Sequence, residues 1–192
     1  MTPLRYLATM DDGLEILIRN VMPHDRLAIQ TGVGMLSHRS RYFRFLNGKS
    51  HLTESQLDQL TNIDNVNHVG LFAMSSYSIF WQRFGVARFI RNQEKFNSAE
   101  VAIALLDEYH GKGLGSLLLD ILMVLAVERG IIEFSGLVLP ENKRMIRILQ
   151  RRNAQFNILP GPVYEVKLSI PESIHLPENV APVECGVEEL VG

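Results

Sequence analysis

His110-Gly111-Lys112-Gly113-Leu114-Gly115 is the stretch on which the reading of this chain turns. Before it, Ala99-Glu100-Val101-Ala102-Ile103-Ala104-Leu105-Leu106 reads as a buried strand. After it, Ser116-Leu117-Leu118-Leu119-Asp120-Ile121-Leu122-Met123-Val124-Leu125-Ala126 reads as a helix. A strand that passes through a glycine-spaced turn into a helix presents free backbone N–H groups at the positive end of the helix dipole. Its glycines let that backbone approach an anion closely. Such a turn suits a phosphate or pyrophosphate, and Lys112 adds positive charge beside it. Two phosphate-binding patterns are excluded by spacing. Gly113 and Gly115 lack the third glycine of Gly-x-Gly-x-x-Gly, and Gly111-Lys112 is followed by Gly113 rather than the Ser or Thr of a P-loop.

Downstream, Glu133-Phe134-Ser135-Gly136-Leu137-Val138-Leu139 reads as a second buried strand, followed by Pro140-Glu141-Asn142. A helix is predicted from about Lys143 to Arg152, with Met145, Ile148 and Leu149 on one face and the basic residues elsewhere. Upstream, a first strand is expected over 14–19, then a helix from Met22-Pro23-His24-Asp25 to about Met35. Ser37 is a candidate N-cap before 39–45, and Thr53-Glu54-Ser55-Gln56 is a candidate capping box. Strands follow over 68–74 and 84–91, joined through a polar turn over 75–78, and a last strand over 164–169. This order predicts an α/β (α+β) domain with a mixed, mostly antiparallel central sheet and helices on both faces. It assigns 1–170 to one domain. The stretch 171–192, with three prolines and five glutamates, is read as a tail, ordered only if it packs on its own domain or a neighbour.

Composition narrows the function classes. The 192 residues are 46% hydrophobic, enough for one well-buried core. A net charge of −2 and a pI near 6.3 give no nucleic-acid surface. The single cysteine, Cys185, excludes an intrachain disulfide and fits a cytoplasmic location. No signal peptide is recognised, and the most apolar helix is too short to span a bilayer. The six histidines are too scattered for a metal site, so no metal is expected.

His110, Gly113 and Gly115, set between a strand and a helix, resemble motif A of the GNAT-type N-acetyltransferases: Arg or Gln, two residues, Gly, one residue, Gly or Ala. The strand-Asn142-helix segment resembles that family's second signature. Leu36-Ser37-His38-Arg39-Ser40-Arg41-Tyr42-Phe43-Arg44-Phe45, Leu60-Thr61-Asn62-Ile63-Asp64 and Val138-Leu139-Pro140-Glu141-Asn142 look like the acetyltransferase domain of bacterial Pat-type protein lysine acetyltransferases. The resemblance covers most of 14–170 and implies an acetyl-CoA-dependent enzyme with an amine acceptor, a protein lysine first, a small amine second. A non-catalytic acyl-CoA sensor on the same fold is the third reading. Family members often carry a cyclic-nucleotide-binding or synthetase-like domain, for which this chain is too short. Contacts between two copies through the tail are left open.

The resemblance also implies roles. Gly111, Lys112, Gly113, Leu114, Gly115 and Ser116, with His110, hold the pyrophosphate of acetyl-CoA. Leu105 and Leu106 lie along its pantetheine arm as an added strand would, a backbone N–H polarising the thioester carbonyl. Glu100 matches the acidic residue that accepts the amine proton, a task that burial of a carboxylate favours because an amine with a pKa of about 10.4 must first be neutralised. Asp107 and Glu108 are its rivals, with side chains expected to face solvent. The family's thiolate-protonating tyrosine falls at Leu149, and its Gly-Phe is replaced by Asn153-Ala154, where Asn tolerates a left-handed helix end. Asn142 is assigned to the cofactor or to the helix N-cap. Arg39, Arg41 and Arg44 are either a solvated basic face or part of the acceptor site, and Tyr42, Phe43 and Phe45 are expected in the core.

Overall fold

The computed structural model describes residues 4–46, 49–76 and 82–183. Nine strands form one sheet in the order β7-β8-β6-β5-β4-β3-β2-β1-β9. They are β1 (Arg5–Thr9), β2 (Glu15–Asn20), β3 (His68–Ser75), β4 (Arg83–Arg91), β5 (Ser98–Leu105), β6 (Glu133–Val138), β7 (Gln155–Ile158), β8 (Tyr164–Ser169) and β9 (Val180–Pro182). The helices are α1 (Arg26–Met35), α2 (His38–Phe45), α3 (Glu54–Thr61), α4 (Leu114–Val127) and α5 (Lys143–Gln150). Every neighbouring pair is antiparallel except β5 and β6, which α4 connects as a crossover. The expected fold class is met: a mixed, mostly antiparallel sheet with helices on both faces.

Alternation along the central strands divides the side chains between two cores. On one face Val69, Leu71, Ala87, Phe89, Ala99 and Phe134 pack under α4, which is apolar nearly all round, and under the apolar stripe of α5. On the other face Phe72 and Met74 pack against Ala28, Ile29 and Val33 of α1 and Leu57 of α3. Local chemistry sets the helix starts. Ser37 Oγ accepts from the Ser40 N–H, and Thr53 and Gln56 form the reciprocal capping box. At the end of α5, Asn153 takes φ 58°, while Ala154 N–H reaches Leu149 O and Asn153 N–H reaches Gln150 O. This is the glycine-type helix stop built with asparagine.

Three strands lie outside the expected set: β1, β7 and β9. β1 precedes the strand expected to be first and pairs with it over Arg5↔Arg19 to Thr9↔Glu15. Residues 180–182 of the presumed tail add to β1 as the sheet edge, Val180 packing into the main core. These strands have three to five residues, too short for a period to emerge from composition. Residues 77 and 78 of the expected turn over 75–78, and Cys185, lie outside the described residues.

Candidate active site

The parallel pair β5–β6 is joined only at Ser98↔Glu133, Ala99↔Phe134 and Glu100↔Ser135. Beyond Glu100 each strand stays with its other neighbour: β5 follows β4 to Leu105, and β6 follows β8 to Val138. The sheet therefore opens in a V. Gly85 on β4 is one cause, because a Cβ there would sit 2.3 Å from Ala104 O and 2.5 Å from a Leu105 methyl. The missing side chain lets the end of β5 draw in toward β4 and away from β6. Leu106 N–H then donates to Phe84 O at 2.9 Å. By antiparallel alternation, the N–H and C=O groups of Leu105, Ile103 and Val101 point into the V. The cleft there holds about 310 Å³ and is walled by Glu100, Val101, Ile103, Gly136 and Val138, with Phe43 and Arg44 from α2 and Met145 and Leu149 from α5.

At the C-terminal end of β5, on the wide side of the V, the chain turns through Asp107–Tyr109 and the glycine stretch into α4. Gly111 and Gly113 adopt φ 80° and 86°, conformations that cost little only for glycine. Gly113 O accepts from the N–H groups of Ser116 and Leu117. Among the described residues, the N–H groups of Gly111, Lys112, Gly113, Leu114 and Gly115 donate to no protein acceptor. Five unengaged donors stand together at the start of a 14-residue helix, the arrangement expected of an anion cradle.

Several expected side-chain roles change in detail. Lys112 is paired with Asp12 at 2.9 Å, so its charge is shared rather than free; that contact raises the lysine and lowers the carboxyl. Ser116 spends its N–H on Gly113 O, and its hydroxyl oxygen accepts from Arg152 at 2.7 Å, inside a clamp in which Arg152 also grips Asp120. Ser116 thus joins α4 to the end of α5 and offers no backbone donor to a phosphate. Leu106 is corrected too. Both its backbone groups are engaged, the N–H with Phe84 and the C=O with Tyr109, so the arm of a carrier has only Leu105 and the alternate residues before it. Gly115 also serves packing, since a Cβ would touch Ile148 and Leu105 at 3.4 Å.

His110 is held by both ring nitrogens. Nε2 lies 3.0 Å from Leu105 O, and Nδ1 lies 2.8 Å from Arg144 Nη1. A carbonyl can only accept and a guanidinium can only donate, so this geometry selects the Nε2–H tautomer. His110 is therefore an anchor that brings Arg144 to the glycine turn. Sequence reasoning placed Arg144 only on the polar face of its helix, and no spacing signal linked it to a residue 34 positions earlier.

At the other end of the V, Glu100 stands exposed on the rim, not buried. Arg44 and Arg88 lie close enough for its charge to act on both. Of the three α2 arginines, Arg44 faces the cleft, Arg39 stacks on Phe43, and Arg41 donates to Leu36 O at 2.9 Å and Gly34 O at 3.3 Å. Phe43, expected in the core, lines the cleft, and Tyr42 is exposed; Phe45 does pack against the second core. Asp107 does not simply face solvent. Its carboxylate accepts from Ser37 N–H, Ser37 Oγ and Ser40 Oγ at 2.7–2.9 Å, fastening the start of α2 to the loop after β5. Asn142 caps α5 by accepting from Met145 N–H at 3.2 Å while also lining the cleft.

An anion cradle, a slot with open backbone edges and a carboxylate at the far end define an enzyme that holds a long phosphate-bearing carrier and delivers its group to an acceptor. The acetyltransferase (GNAT) family profile matches residues 40–154, and the chain belongs to this family. It is 29% identical over 125 residues to acetyltransferase PA5475 of Pseudomonas aeruginosa, covering 65% of this chain and 67% of that one. It is 31% identical over 137 residues to acetyltransferase Pat of Mycolicibacterium smegmatis, covering 71% of this chain but only 40% of that protein. The crystal structure of the GNAT domain of S. lividans PAT superposes with a TM-score of 0.78 at 25% identity, covering 86% of this chain and 96% of that domain. The enzyme class is therefore N-acetyltransferase. No helix among the described residues is long and apolar enough to cross a membrane.

Proposed function

We propose that this chain moves the acetyl group of acetyl-CoA to the side-chain amine of a protein lysine. The observation that carries the reading is the alignment of the free N–H groups of residues 111–115, the edge of β5 that parts from β6, and Glu100 where the two strands separate. The pyrophosphate sits on the glycine turn, with Arg144 beside it, and the pantetheine arm runs along Val101, Ile103 and Leu105. A backbone N–H on this edge polarises the thioester carbonyl. Glu100, directly or through a water, takes the proton of the ammonium; the neutral amine attacks the carbonyl carbon, the C–S bond breaks, and the second nitrogen proton passes through solvent to the departing CoA thiolate. With Leu149 buried where a tyrosine would stand, the thiolate departs without a side-chain acid on α5. The acceptor end favours a protein over a small amine. Glu100 is exposed, and the apolar side chains of Ile90, Leu46 and Leu137 stand exposed on the same side of the opening, a broad rim that a protein surface can cover.

The test is CoA thiol release by wild type and Glu100→Gln against a panel of lysine-containing proteins and small amines. Turnover on a protein that falls at least about 100-fold in the variant supports the reading, in line with the usual contribution of a general base. Turnover confined to small amines transfers the function to that class. Tight CoA binding with no turnover on any acceptor points to an acyl-CoA sensor.

A further inference from the structure

Arg44 and Arg88 differ from four other half-buried arginines of this chain. Arg19, Arg91, Arg129 and Arg152 each donate two or more hydrogen bonds to carboxylates or carbonyls. Among the described residues, neither Arg44 nor Arg88 has a hydrogen-bond or ion-pair partner; Arg44 stacks only on Phe45. Both are partly withdrawn from water, and burial lowers Arg44 to about 10, with Arg88 pushing the same way and Glu100 opposing. Burial lowers Arg88 as well, again against Glu100. The two side chains meet by construction. Register places Arg88 opposite Ala102 and Glu100 opposite Ile90, so Arg88 and Glu100 are diagonal neighbours on one sheet face. Arg44 descends on that face from α2, lining both the cleft and a smaller 40 Å³ cavity behind it whose wall includes Arg88. His68, at the start of β3 on the same face, adds a buried Nε2 without a partner.

Two partly desolvated guanidiniums that share one exposed carboxylate and make no hydrogen bond are costly unless an occupant supplies acceptors. The local pattern, one carboxylate beside two guanidiniums, complements an ammonium beside a carboxylate. It also repels a polyamine, whose further positive charges would meet Arg44 and Arg88. We propose that the acceptor site selects an amine with a carboxylate close to it, and that Arg44 and Arg88 read that carboxylate. This rests on the acetyl-transfer reading and specifies its acceptor. The shared chemistry has two sources, a protein lysine flanked by acidic residues or a free amino acid, and bidentate guanidinium–carboxylate geometry serves both.

Two matched pairs test it: a blocked Gly-Asp-Lys-Asp-Gly peptide against Gly-Asn-Lys-Asn-Gly, and L-lysine against cadaverine, the same chain without its carboxylate. Thiol release gives kcat/KM, and calorimetry on the CoA-loaded protein gives affinity without turnover. In at least one pair, wild type should favour the acidic member by on the order of tenfold or more, the scale of one charge-assisted hydrogen bond. That ratio should fall to within about twofold in Arg44→Gln and Arg88→Gln; Arg88→Lys, which keeps the charge and the fold, should retain part of it. A preference in the peptide pair assigns a protein acceptor, and one in the lysine pair an amino acid. Equal use of both members by wild type in both pairs, or a preference untouched by either Gln variant, overturns the proposal. Should no acceptor release thiol, the transfer reading fails separately, and the affinities decide: tighter binding of an acidic member that both Gln variants abolish supports the proposal, and equal affinities overturn it.

Discussion

Replacing Gly85 with alanine tests whether close contact between β4 and β5 holds the V open. A Cβ at this position would lie 2.3 Å from Ala104 O, 2.5 Å from Leu105 Cδ2 and 2.9 Å from Leu105 Cα. Two of these three atoms cannot swing aside, because they are backbone. To restore even 3.0 Å, the end of β5 must retreat by about 0.7 Å from β4. Overpacking of this kind costs about 1–3 kcal/mol, and weakening the terminal ladder bond from Leu106 to Phe84 adds about 1 kcal/mol. The sum, about 2–4 kcal/mol, lowers Tm by roughly 5–15 °C in a domain of this size. The displaced strand moves into the V, carrying with it the Leu105 carbonyl that anchors His110. Affinity for acetyl-CoA should therefore fall about tenfold or more beyond any loss of folded protein. Thermal melts and calorimetric titration with CoA measure the two effects separately. A Gly85→Ala protein within about 0.5 kcal/mol of wild type that binds CoA equally well would refute the argument that this glycine shapes the cleft.

Three further outcomes follow from the same geometry. Burial, then Arg88, holds the His68 imidazole down at about 4 against the pull of Asp64, whereas an unfolded histidine titrates near 6.5. Between those values the unfolded chain binds a proton that the native state refuses, so stability falls as pH drops from about 6.5 to 4, by at most about 3 kcal/mol. His68→Gln should flatten that limb in urea titrations at stepped pH. Gly113→Ala forces a side chain to φ 86°, costing about 1 kcal/mol, but only Met10 Cε at 3.4 Å meets the new methyl. Tm should fall by only a few degrees while KM for acetyl-CoA rises about tenfold; an unchanged KM would remove the turn from the binding site. Asp107 is pushed up by burial but held lower overall by the Ser37 and Ser40 hydrogen bonds, so its contribution is present above pH 4 and lost as pH falls through its native pKa. Its side chain is 41% exposed, so screening leaves Asp107→Asn a stability cost of only about 0.5 kcal/mol. The substitution should raise KM for the acceptor more than KM for acetyl-CoA, because α2 and Arg44 are what it loosens.

Long elements and the glycine turn were legible because their signals are local. The glycines at 111 and 113 announce positive φ, the strand and helix around them have clear periods, and Ser37 and Thr53 carry their caps in the sequence. What escaped reading depends on tertiary partners. β1 and β9 have five and three residues and exist because β2 offers an edge and Val180 a buried place. Ser116 looked like part of a phosphate turn until Arg152, 36 residues later, claimed its hydroxyl. Leu105 and Leu106 are alike in composition, yet the alternation fixed by one bond to Phe84 gives Leu105 to the cleft and removes Leu106 from it. Arg144 was invisible for the same reason: its meaning comes from the histidine it touches.

The distribution of unsatisfied groups carries information beyond any single contact. Most charged side chains withdrawn from water in this protein are answered: Asp25 by Arg19 and the Met22 N–H, Asp120 by Arg152, Arg129 by carbonyls. Arg44, Arg88 and the His68 Nε2 lack such partners and share one sheet face near Glu100, at the apex of the V. Apolar side chains would fit on this face, as the adjoining Val86, Ala102 and Ala104 show. In the acceptor site proposed above, the two guanidiniums would face the occupant, and their placement serves it rather than the stability of the empty domain. In the proposed function donor binding rests on backbone geometry, through glycines and a helix start, and acceptor choice rests on charge.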